Sequence, residues 1–260
     1  MAALLASAVA GALVGASLAG QYALAAAIGV VQLLLLIGMT RSGDVPAART
    51  SAAVALVAGV ASALVVALTA EGAFDIESMT PALVAIGAGF VAMVVVQLAR
   101  RDGRERLTAS LTFGVWALLL VTALVGWLAL GDDDTGAALL ALALSGTAVG
   151  AAIMIFPGPA VIWVIGGTIG AGSVGLVLEA YLPAVDGADL GPLVAGVAAA
   201  VCGLAAAIGV WVSGLIRDDA PAGAARPGLA HGLVTATIPV ALAAPVAVGT
   251  AWALAEGLLA

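Results

Sequence analysis

Long apolar runs separated by short polar gaps make up the entire chain. A helix that crosses a bilayer needs about 20 predominantly apolar residues. On that measure residues 2–19, 22–39, 52–70, 81–99, 108–130, 137–156, 160–181, 193–216 and 232–256 each read as one spanning helix. The first two come from a single uncharged stretch, residues 2–39, which is too long for one helix and has its turn signal at Gly20-Gln21. Pro157-Gly158-Pro159 separates the sixth span from the seventh, because proline removes a helical hydrogen bond and glycine relaxes the backbone. The pattern predicts an all-α polytopic transmembrane helical bundle of nine spans. Residues 1–260 form a single integral membrane domain, with no soluble domain to hold a separate active site.

The charges sort by gap. Arg41 and Arg49 lie in one, Arg100, Arg101, Arg104 and Arg106 in the next, and Arg217 and Arg226 in the third. Between them fall Glu71/Asp75/Glu77, then Asp132/Asp133/Asp134, then Asp186/Asp189, with no arginine among them. Cytoplasmic loops of membrane proteins retain an excess of Arg and Lys. The alternation therefore predicts an N-terminus inside, a C-terminus outside and a plasma-membrane location. Ser17-Leu18-Ala19 resembles a signal-peptidase site, but no basic region precedes the apolar run. The first span is accordingly counted as retained; were it cleaved, eight spans would keep the same orientation.

Composition agrees with this reading. The chain is 64% hydrophobic and 9% charged, with a mean hydropathy of +1.25, whereas soluble domains carry roughly 25% charged residues. No basic patch is interleaved with aromatics, so a nucleic-acid partner is not expected. The one cysteine, Cys202, excludes an intrachain disulfide, and the one histidine, His231, excludes paired histidine ligation of a haem. Neither a cofactor nor a metal site is expected.

The seventh span carries the strongest candidate within the membrane. Thr168, Gly172, Gly175 and Glu179 recur at helical spacing and make one small, polar face ending in a carboxylate, while Gly166 and Gly170 form a G-x-x-x-G pair on a second face. Small residues let helices approach closely in lipid, so this span is expected to be central and packed on two sides. The same face could line a path for a substrate or ion. Gly170-x-Gly172-x-x-Gly175 also spells the dinucleotide fingerprint, which fails here because no strand precedes it.

Gln32 is the most polar side chain near a midplane and continues a stripe from Gln21, Ala25 and Gly29; it reads as an interhelical hydrogen bond. Gln97, within one turn of Arg100, reads as interfacial. His231 opens the last span, where it is either a solvated helix-end group or a pH-sensitive contact. Pro239 and Pro245 are expected to kink that span. No Asp, Glu, Arg or His falls at the centre of any span, which argues against a proton-coupled pump with an internal carboxylate relay. The Arg100, Arg101, Arg104 and Arg106 cluster is a candidate contact for anionic lipid, each Arg contributing about 1 kcal/mol. Its Asp102-Gly103 pair echoes a motif of CDP-alcohol phosphotransferases, but the downstream aspartates that would bind metal are missing.

The segments VPAARTSAAVALVAGVAS, QLARRDGRERLTASLT and ARPGLAHGLVTATIPVALAAP resemble uncharacterised polytopic membrane proteins of actinobacteria. The resemblance implies a bacterial plasma-membrane location and carries over no catalytic residue. Two functions are open at this point. One is a non-enzymatic membrane subunit or scaffold, with the lipid bilayer and other membrane proteins as partners. The other is a carrier or channel for a neutral or lipidic solute, lined by Thr168, Gly172 and Gly175. An intramembrane enzyme ranks third, because no nucleophile–base or carboxylate pair converges.

Overall fold

The computed structural model describes residues 2–42, 45–69, 79–100, 106–130, 134–156, 158–180, 190–218 and 229–256. The described residues fold into helices without a strand. In chain order these are α1 (Ala2–Leu18), α2 (Gln21–Ser42), α3 (Ala48–Thr69), α4 (Thr80–Leu98), α5 (Leu107–Ala123), the four-residue α6 (Gly126–Ala129), α7 (Asp134–Ile153), α8 (Ala160–Glu179), α9 (Pro192–Asp218) and α10 (Leu229–Ala255). Eight stretches, with α5 and α6 taken together, are long and apolar enough to cross a membrane. The ninth, α1, is a shorter apolar helix of 17 residues, about 26 Å at 1.5 Å per residue, so the expected nine spans become eight that meet the length and a first helix at its lower limit.

The bundle has a spine and two wings. α10 runs through the middle and packs against α1, α2, α7 and α9. One wing is α3, α4 and α5; the other is α7, α8 and α9. Side chains that fill the spine include Leu13, Leu24, Ile28, Leu35, Val240 and Ala244, all buried. α1 belongs to it: Ala3, Ala6, Ala10 and Leu13 point inward at helical spacing, and Ser7 Oγ donates to the Ala148 carbonyl of α7 at 2.8 Å.

The expected single helix over 108–130 is broken at Leu124–Val125. No proline causes this. The Thr122 hydroxyl donates to the Leu118 carbonyl, and the backbone tightens to three-residue bonds, Val125 N–H to the Thr122 carbonyl and Leu128 N–H to that of Val125. Such side-chain back-bonding competes with the helical ladder. The break turns Trp127 into the core, where its Nε1 donates to the Val240 carbonyl at 3.1 Å. In α10, Pro239 and Pro245 both lie inside one continuous helix.

Glycine sets how closely the second wing closes. A Cβ on Gly146 of α7 would collide with the Ala199 carbonyl of α9, and one on Gly150 with the Gly203 carbonyl. A Cβ on Gly203 would strike Ala171 of α8 and stand 3.0 Å from the Gly146 carbonyl. Lipid gives no hydrophobic force between helices, so this close contact of small residues is what joins them. Gly158 has a different role: at φ +147 it makes the turn into α8, with Pro159 in an extended conformation as the N-cap.

Substituting Gly203→Val should cost about 3 kcal/mol, the upper range for overpacking, read as a lowered unfolding midpoint in mild detergent. Gly11→Val, at a position with nothing within 4 Å, should stay within about 0.5 kcal/mol of wild type. Equal effects would contradict the packing described.

Candidate functional site

The described residues that border the three arginine-bearing gaps lie at one end of the bundle. Ser110, in the first turn of α5, donates to the Pro46 carbonyl just before α3 at 2.7 Å, which sets the first gap beside the second. The third gap joins them through α10: a Cβ on Gly38, near the end of α2, would lie 2.9 Å from the Ala230 carbonyl. Leu5 of α1 reaches Gly232 at this same end. The start of α1 therefore lies beside the start of α10 at this end.

At that end lies the most extensive buried polar cluster among the described residues. Gln97, fully buried on α4, donates through Nε2 to Ser51 Oγ of α3 at 2.8 Å. Arg100 is half-buried, and its Nη1 donates to Gln97 Oε1 at 2.9 Å and to Ser110 Oγ at 3.0 Å. A charged donor thus ties α4 and α5 together, and the Ser110–Pro46 bond extends the tie to the α2–α3 turn. Gln97 lies in the last turn of α4 and faces other helices there. Its position within a turn of Arg100 was legible, but Ser51 and Ser110 come from 46 and 13 residues away, and no local pattern announces them. Arg106 is exposed and caps α5 in the left-handed region at φ 50. Arg101 and Arg104 lie outside the described residues.

The residues singled out in the membrane do not converge. α8 is an edge helix rather than a central one: 17% of its span is buried, against 61% of α7's. It touches α7 and α9, and turns Val161, Ile165, Ile169 and Val177 outward. Its inward line is Gly167, Ala171 and Gly175, which shares Gly175 with the expected stripe but replaces Thr168 and Gly172 by their neighbours. Thr168 bonds its own helix at the Val164 carbonyl. A Cβ on Gly172 would stand 3.2 Å from Ala200 Cβ, and one on Gly175 2.5 Å from the Ala195 carbonyl, so both face α9. The second face does meet another helix, because Gly170 packs on Ile153 and Val149 of α7. Glu179 is the half-buried last residue of α8. His231, half-buried in the first turn of α10, offers its carbonyl to the Thr235 hydroxyl.

Gln32 is fully buried and makes an interhelical bond, Nε2 to the Val121 carbonyl of α5 at 3.0 Å. Gly59 of α3 leaves room for the amide; a Cβ there would meet Val121 and stand 3.1 Å from Nε2. The Gln32 Oε1 has no partner, and neither does the buried Ser62 hydroxyl, which lines a groove of about 510 Å³ between α3 and α4. Among the described residues no group of three or more His, Cys, Asp or Glu side chains gathers where it could hold a metal ion.

These features fit a multi-pass integral membrane protein, an apolar helical bundle. No protein-family model, curated protein or solved structure matches the chain.

The two buried glutamines should respond differently to substitution. Gln97→Leu strands Ser51 and removes an acceptor from Arg100, and should cost about 2 kcal/mol, the range for hydrogen bonds to charged groups. Gln32→Leu also removes an unpaired carbonyl oxygen, and should cost less than about 1 kcal/mol. Thermal unfolding of the two variants in detergent decides; the reverse order would show the network to be inert.

Proposed function

We propose that this chain is a non-catalytic subunit of the bacterial plasma membrane, a scaffold that holds another membrane protein against its first helix. The observation that carries the reading is the pair Gly11 and Gly15 on α1. Both are exposed and neither has anything within 4 Å of an added Cβ. Elsewhere in this protein, glycines four residues apart are where another helix comes in: Gly146 and Gly150 receive the backbone of α9. A helical glycine costs about 1 kcal/mol relative to alanine, and a helix partner at this spacing recovers it. On α1 that partner is outside the chain. Gly172 and Gly175 are engaged with α9, which weighs against a solute path along that face.

With the arginine-bearing turns cytosolic, as the charge bias of membrane insertion favours, α1 enters from the cytosol and α10 ends outside. The partner then lies alongside in the plane of the membrane.

Crosslinking in native membranes, followed by purification in mild detergent, tests this. The wild-type chain should carry one reproducible membrane partner, and the double substitution Gly11→Leu with Gly15→Leu should lose it while inserting normally. A chain that runs as a lone monomer, or a partner retained by the double variant, would overturn the reading.

A further inference from the structure

We propose that an anionic phospholipid occupies a groove on the outer face of α5, with its phosphate at Arg106 and one acyl chain running down to Trp116. The groove, about 300 Å³, is lined by Leu107, Thr108, Leu111, Thr112, Val115 and Trp116. These positions form one stripe along the helix, starting directly after Arg106. From Leu107 to Trp116 the stripe descends about 14 Å at 1.5 Å per residue, close to half of a hydrocarbon core about 30 Å thick. It is therefore as deep as one leaflet. Thr108, Thr112 and Trp116 are exposed along it, which leaves the hydrocarbon of a neighbouring lipid as the material in contact.

The charge at the upper end selects the headgroup. Arg106 is exposed at the start of α5, and Arg100 is fixed at the same end by Gln97 and Ser110. The positive end of the α5 dipole adds in the same sense. A phosphate with no compensating cation on its headgroup suits both the arginines and the dipole; a choline headgroup brings its own cation and gains less. The site stands whichever side of the membrane the arginines face, and whether or not α1 has a partner.

Native mass spectrometry of the full-length protein in detergent, titrated with dioleoylphosphatidylglycerol and separately with dioleoylphosphatidylcholine, tests this. Wild type should bind its first phosphatidylglycerol about thirtyfold tighter than phosphatidylcholine, as two near-surface arginines would give. Arg106→Gln should weaken phosphatidylglycerol about fivefold, the share of one such arginine. Thr112→Trp, which fills the groove, should weaken it comparably without removing a charge, and Arg41→Gln in another gap should change nothing. Equal affinity for the two lipids, a loss on Arg41→Gln matching that on Arg106→Gln, or full affinity in both the Arg106 and Thr112 variants would overturn the proposal.

Discussion

Three helix backbones approach one another in the second wing at a distance that admits little beyond hydrogen at the contact points. Carbonyls of Ala195, Ala199 and Gly203 on α9 sit where side chains of Gly175, Gly146 and Gly150 would otherwise be. In water such a junction would be held by apolar burial. In lipid that force is missing, and dispersion contacts and weak Cα–H···O interactions at short range replace it. The rest of the wing follows. Because α9 serves α7 and α8 together, α8 needs no third neighbour and is left at the edge. Ala6, Ala151 and Ala206 meet in a small buried cluster that carries the same close packing to α1.

The first wing is held differently. Its helices also use glycine, at Gly89 beside Leu118 and Gly114 beside Met93, but there the partner is a side chain that can adjust. What fixes this wing is polar: Gln97, Arg100, Ser51 and Ser110 at the basic end, and Gln32 against Val121 deeper in. An interior hydrogen bond has no competing water and so orients helices as well as stabilising them. One half of the protein is therefore specified by shape and the other by hydrogen bonding, with α10 between them.

Much of this was written in the sequence at the level of spans and faces. Helix limits fall within a few residues of the apolar runs, and the described residues bordering the arginine-bearing gaps, Pro46, Arg100 and Ala230, share one end of the bundle. The finer level was not legible, for physical reasons. α8 is apolar on every side, so spacing alone could not decide between the Thr168 line and the Gly167 line. The small-residue signal was read correctly as packing, but its strength suggested a central helix, whereas close contact on adjacent faces also suits an edge. Gly146 and Gly150 have the same four-residue spacing, but nothing in it alone says which helix they receive. The bend at Leu124 had no proline to announce it, and the Gln97 cluster is assembled from three segments that only the fold brings together.

The claim on which the rest depends is that α8 and α9 are in backbone contact, and disulfide trapping tests it directly. In a Cys202→Ser background, cysteines at positions 172 and 200 would have their Cβ atoms about as close as a disulfide needs, since a Cβ on Gly172 stands 3.2 Å from that of Ala200. Mild oxidation in native membranes should join them within minutes, seen as two fragments held together after proteolysis between α8 and α9 and released by reductant. A pair that stays reduced under conditions that oxidise a control disulfide would contradict the account.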